Sequence, residues 1–112
     1  MSTRSDVGIA LKSELVKEFD EKFPFIAEWS SERMVRGEGV CYVMDCIRWD
    51  SISGETVLGV YAWLRSKGRD NYKVVEMCHD YPDYTDGEAG EWEDNPWNLR
   101  RVVTTSLGFD RC

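Results

Sequence analysis

In the stretch SDVGIAL, Val7, Ile9 and Leu11 alternate with Gly8 and Ala10, the period of a half-buried strand. A helix entered at Asp6 competes for the same residues, with Val7, Leu11, Leu15, Phe19 and Phe23 four apart. Gly8 would cost that helix up to ~1 kcal/mol, so a short strand running into a helix at about residue 12 is favoured. In that helix Leu15, Val16, Phe19 and Phe23 form one apolar stripe, with Lys12, Glu14, Lys17, Glu18 and Glu21 outside it. Pro24 ends or kinks it. PFIAEWSSERM then starts a second short helix, with Pro24 in its first turn and Phe25, Ile26 and Trp29 facing inward.

Gly37 and Gly39 bracket a turn, after which GVCYVMDCIRWD reads as a strand. Its two faces, Cys41, Val43, Asp45, Ile47, Trp49 and Val40, Tyr42, Met44, Cys46, Arg48, are both largely apolar. That pattern predicts a central strand covered on both sides. SGETVLGVYAWLRSKG is the clearest helix. Ser53 suits the N-cap, Glu55 lies in the first turn, and Val57, Val60, Tyr61 and Leu64 make the buried stripe. Arg65 and Lys67 occupy the last turn, and Gly68 suits the left-handed position beyond it. NYKVVEMCH and LRRVVTTSL are the remaining strands, separated by a long loop over 80–98. This order predicts one α+β domain over 1–112, with a three- or four-stranded, mainly antiparallel sheet and two to three helices.

Composition changes the picture at one place. The chain has 21 acidic and 14 basic residues and a net charge of −7. Seven of the acids, Asp80, Asp83, Asp86, Glu88, Glu91, Glu93 and Asp94, fall in DYPDYTDGEAGEWEDNPW, which contains no lysine or arginine. Outside that segment the two signs balance, so the whole surplus sits on one excursion. The same segment carries Tyr81, Tyr84, Trp92 and Trp97. Loops of about eighteen residues without structure are unusual in a compact domain and are commonly functional. Free nucleic acid and an anionic membrane are poor partners for such a segment, whereas a basic protein surface suits it. No apolar run approaches the ~20 residues of a membrane span and no secretory leader is evident. A cytoplasmic setting, with reduced cysteines, is expected.

Specific chemistries fare less well. Aligning Gly87 with the glycine of a calcium-binding loop puts Tyr84 and Pro82 where acids are required, leaving only an irregular site from Asp83, Asp86 and Glu88. Cys41, Cys46, Cys78 and His79 offer zinc-ligand types, but there is no CxxC, and residues one or five apart on a strand point to opposite faces. No cofactor or metal is expected. His79 is the only histidine, and no nucleophile motif or phosphate-binding loop accompanies it. Arg100 and Arg101 form the only basic doublet and would face opposite ways on a strand.

The opening TRSDVGIALK, followed by a Lys/Glu-rich helix, resembles the start of small bacteriophage accessory proteins. The resemblance spans about the first 20 residues and carries no site residue. It implies a protein that binds and disables a host enzyme or defence complex.

The expectation is a non-enzymatic, acidic inhibitor or modulator that docks on the basic, nucleic-acid-binding surface of a host nuclease, polymerase or defence effector. Asp83, Tyr84, Asp86, Glu88, Glu91, Trp92, Glu93, Asp94 and Trp97 would make the contact. Carboxylates would steer and the rings of Trp92 and Trp97 would anchor. Fully stretched, residues 80–94 span at most ~50 Å, about one charge per 7 Å against one per ~1.7 Å in duplex DNA. The segment could therefore imitate a short single strand, not a duplex. An exposed tryptophan would equally serve a homodimer. The alternative is a small hydrolase or transferase using His79 with nearby acids.

Overall fold

A computed structural model describes residues 5–47, 54–78, 87–97, 99–102 and 106–108. The elements in order are β1 (Ser5–Lys12), α1 (Ser13–Lys22), α2 (Pro24–Trp29), β2 (Glu32–Arg36), β3 (Gly39–Ile47), α3 (Gly54–Ser66), a 3₁₀ turn (Arg69–Asn71), β4 (Tyr72–Cys78), β5 (Gly87–Ala89), β6 (Arg100–Val102) and β7 (Ser106–Gly108). One antiparallel sheet runs β2-β3-β1-β4-β5, and β6 and β7 make a separate hairpin. The fold is the expected α+β domain, with four strands of five residues or more and a three-residue edge strand, β5, drawn from the acidic segment.

Strand alternation divides the interior into two cores. Val7, Ile9 and Leu11 of β1, Val40, Tyr42 and Met44 of β3, and Tyr72 and Val74 of β4 face the helices. Phe19 of α1 is the hub of that layer. Its ring lies 5.4 Å from Phe23, 5.3 Å from Tyr42 and 5.6 Å from Trp63, measured between centroids. Ile26 of α2 and Val60, Trp63 and Leu64 of α3 complete the layer. Trp63 is a core residue that the predicted α3 stripe omitted. Two acids on α1 tie the layer together. The Trp63 indole N–H donates to Glu18 at 2.6 Å, and Lys67 pairs with the same carboxylate at 3.2 Å. The Tyr42 hydroxyl donates to Asp20 at 2.6 Å, and Arg33 pairs with Asp20 at 3.2 Å. Burial and the Asp20 bond both push the Tyr42 phenol upward, so it remains a donor at all ordinary pH.

The second face of the sheet is lined by Gly8, Ala10, Cys41, Val43, Lys73 and Val75, and among the described residues no helix packs there. Residues 91–97 and Leu99 cover it. β5 pairs with β4 (Val74 opposite Ala89, Glu76 opposite Gly87). The chain turns at Gly90 (φ 85°), and Trp92, Trp97 and Leu99 then pack on Ala10, Cys41, Val43 and Val75, with Met34 beside them. The sheet is shaped for this cover. A Cβ at Gly39 would lie 2.6 Å from Trp92 Cη2 and 2.9 Å from the Leu11 carbonyl. A Cβ at Gly90 would collide with the Tyr72 carbonyl.

The expected acidic loop is present: after the three residues of β5, residues 90–97 run as turns over the second face. Two expectations are corrected here. Where one strand was expected at LRRVVTTSL, the described residues form two short ones, β6 and β7, paired antiparallel. β2 was not expected at all. Its first residues were assigned to the helix after Pro24, but that helix ends at Trp29 and the chain returns along β3, with Met34 opposite Cys41.

Replacing Gly90 with alanine forces a side chain into left-handed backbone and against Tyr72. We expect a loss of about 2–4 kcal/mol in urea unfolding; a neutral Gly90→Ala would mean the turn is not formed as described. The Trp63 hydrogen bond, then Lys67, lower the Glu18 carboxyl below its usual value. A depressed carboxyl adds stability that is present above the unfolded-state value and lost as pH falls through the folded-state value. Glu18→Gln is therefore expected to flatten the acid side of the stability–pH curve, read as melting temperature from neutral pH downward.

Candidate functional site

The residues predicted to bind a partner separate into three groups. Asp83, Tyr84 and Asp86 lie outside the described residues, as does the side chain of Glu88. Trp92 and Trp97 lie inside the protein, 5% and 0% exposed, so the expectation that both serve as exposed anchors is corrected. The reason is energetic. A tryptophan buries ~150–250 Å², worth about 4–6 kcal/mol at ~25 cal/mol per Å², and the uncovered sheet face supplies an intramolecular seat. Glu91, Glu93 and Asp94 form the third group. They are exposed and face outward from the same cover.

Several contacts lock the cover in place. The backbone N–H of Glu91 donates to the Arg69 carbonyl at 2.6 Å, and that of Trp92 to the Tyr72 carbonyl at 3.1 Å. Asn95 is buried and staples the turn from within. Its Nδ2 donates to the Trp92 carbonyl at 2.9 Å and its Oδ1 accepts from the Leu99 N–H at 2.8 Å. Arg36 reaches in from β2, donating through Nη1 to the Pro96 carbonyl at 2.8 Å with its guanidinium 5.9 Å from the Trp97 ring centre. Lys73 is only 4% exposed and holds Glu93 at 2.8 Å, while Arg69 holds Glu91 at 3.0 Å. Two buried donors, Arg36 Nη2 and Trp97 Nε1, have no acceptor among the described residues.

Beside the cover the surface opens into a cleft of about 430 Å³ lined by Lys12, Glu38, Asp70, Glu91, Trp92, Glu93 and Asp94. The fold brings these residues together at one end of the sheet. Lys12 ends β1, Glu38 lies in the β2–β3 turn directly before Gly39, the partner of Lys12 in the ladder, and Asp70 precedes β4. Trp92 forms part of the wall, with the Lys12 ammonium 5.7 Å from its ring centre. Arg69 and Lys73 balance Glu91 and Glu93. Glu38, Asp70 and Asp94 form no ion pair among the described residues. The cleft therefore carries a surplus of negative charge and suits guanidinium or ammonium groups. Lys12, Glu38 and Asp70 were missed by sequence reasoning because only the strand register unites them with residues 91–94.

Residues weighed for other chemistry are placed as follows. Cys41 is a buried free thiol on the second sheet face, and burial pushes it up to about 12 against the opposing pull of Arg36. His79 and the side chains of Cys46 and Cys78 lie outside the described residues. Among the described residues no group of three or more His, Cys, Asp or Glu side chains is arranged to hold a metal ion, and no helix is long and apolar enough to cross a membrane.

Comparison with known proteins finds no matching family model, no matching curated protein and no matching solved structure.

Trp97 is expected to act as a structural ring whose N–H contributes nothing. Trp97→Ala should cost about 3–5 kcal/mol in denaturant unfolding, and Trp97→Phe less than half as much, because no hydrogen bond to a described residue is lost. Equal losses from the two substitutions would reveal an acceptor for the indole.

Proposed function

We infer that this protein is a non-enzymatic binding module whose acidic cleft docks on a cationic surface of another protein. The observation that carries this is the convergence of Glu38, Asp70 and Asp94, without cationic partners among the described residues, on one concave wall shared with the paired Glu91 and Glu93. The contact differs in kind from the one the sequence suggests. The rings stabilise the cover from inside, and the carboxylates on its outer side, joined by two from other elements, offer the charge. Such a surface speeds encounter with basic partners and fixes orientation more than it adds raw affinity.

A basic groove that holds nucleic acid presents lysine and arginine side chains in a row, the chemistry this cleft would receive. A nuclease, polymerase or defence effector of a host is the class of partner that fits both the cleft and the resemblance of the N-terminal stretch to phage accessory proteins. Inhibition would follow from occupying the groove. The spacing of the carboxylates suits a few cationic side chains and not a duplex-length track.

The reversal variant Glu38→Lys/Asp70→Lys/Asp94→Lys tests this. All three residues are exposed, so the fold should survive, as circular dichroism can verify. Partner capture from a bacterial lysate by the wild-type protein should weaken as salt rises and disappear in the variant. Capture that persists in the folded variant would remove the cleft from the mechanism.

A further inference from the structure

Among the described residues Lys12 is the only cation that lines the acidic cleft. Five carboxylates share that wall, yet Lys12 forms no ion pair among the described residues. Its ammonium lies instead over the Trp92 ring, 5.7 Å from the ring centre. An ammonium is attracted to these carboxylates from anywhere in the cleft, so its place over the indole marks a seat where the ring face adds to the charge. With Lys12 in that position, Trp92 is almost wholly buried.

Lys12 also lines a second cleft, of about 300 Å³, together with Ser13, Glu14 and Glu38. The two clefts share Lys12 and Glu38, so this side chain stands on the partition between them. Its backbone is fixed by ladder pairing with Gly39, whereas its flexible stem is free to turn. The ammonium can leave the ring for the Glu14 side without disturbing the sheet.

We propose that an arginine of the partner replaces Lys12 on the Trp92 ring, and that Lys12 swings into the second cleft as it does so. This rests on the reading of the acidic cleft as a seat for cationic side chains, and it adds which side chain is taken and what is displaced. A guanidinium is planar, less strongly hydrated than an ammonium and stacks on an indole face, so it outcompetes Lys12 there. It also offers two parallel N–H groups to a carboxylate, and Glu38, Asp70 and Asp94 line the cleft without a cationic partner among the described residues. A partner's lysine has no such advantage over the lysine already seated. Lys12 therefore acts as a specificity residue, setting a threshold that arginine passes and lysine does not.

Titration of the full chain with capped hexa-arginine and hexalysine peptides tests this, followed by NMR of ¹³C-labelled lysine side chains. Lys12 is assigned from the signal missing in Lys12→Met, which keeps an unbranched stem and removes the charge. In the free protein the ring current of Trp92 should hold the Lys12 Hε resonances upfield. Hexa-arginine should bind roughly three- to tenfold tighter than hexalysine and return those resonances to their ordinary position. Equal affinity for the two peptides, or hexa-arginine binding that leaves the Lys12 resonances upfield, would overturn this inference while leaving the cleft reading in place. Failure of both peptides to bind at low salt would overturn the cleft reading and this inference with it.

Discussion

A sheet with apolar side chains on both faces needs cover on both faces, and here the three helices supply only one. Val7, Ile9 and Leu11 point toward α1, α2 and α3, while Ala10, Cys41, Val43 and Val75 point the other way. That second set forces the conformation of the segment after β4. Two indoles and Leu99 fill the face, and their burial outweighs by several-fold the ~0–1 kcal/mol that an exposed ion pair contributes. The coexistence of rings and carboxylates in one stretch is thereby explained. The segment is amphipathic across its thickness, with Trp92 and Trp97 inward and Glu91, Glu93 and Asp94 outward. Glycine at positions 39 and 90 makes the close approach possible.

The outward charge is a by-product of that cover, gathered into one cleft by the sheet's geometry. The cover alone would give a scattered acidic surface. Antiparallel pairing brings the end of β1, the β2–β3 turn and the approach to β4 to the same rim, and Lys12, Glu38 and Asp70 join the cover there. Lys73 and Arg69 then neutralise two of the carboxylates, which lowers the self-repulsion of the cluster and holds the cover down. Lys73 does this from a nearly buried position, so its pairing with Glu93 is structural as well as electrostatic.

Much of the architecture was legible in the chain because local signals were strong. Alternation in SDVGIAL, the stripe through Phe19, the proline at position 24 and the two-sided apolar strand at 39–47 each named its element. Gly68 sits in positive-φ backbone at 99°, as its place after the basic last turn of α3 implied. β2 was hidden because ERMVR lacks clean apolar alternation and only the Ser30–Ser31 pair before it signals a turn. Only the register with β3 makes it a strand. The uneven charge distribution was read correctly, but its structural meaning was not. Exposure of Trp92 and Trp97 was inferred from the company they keep, whereas it depends on whether the sheet has a bare face, and that follows from counting covered faces in three dimensions. Asn95, which bridges Trp92 and Leu99, carries no signal in sequence beyond its neighbouring proline.

The position of β1 has a bearing on how the chain reaches its native state. The first strand to be synthesised is the middle one of the sheet, and its two neighbours, β3 and β4, arrive later and in that order. A β1–β3 pair with its helices can assemble while the rest is still emerging. Until residues 92–99 clear the ribosome, that intermediate carries a bare apolar floor around Ala10, Cys41 and Val43. Partly formed sheets with such floors are prone to associate, and pairings distant in sequence form slowly. The interval between β3 and the cover is thus the vulnerable period in the birth of this molecule, during which a chaperone would have the most to hold.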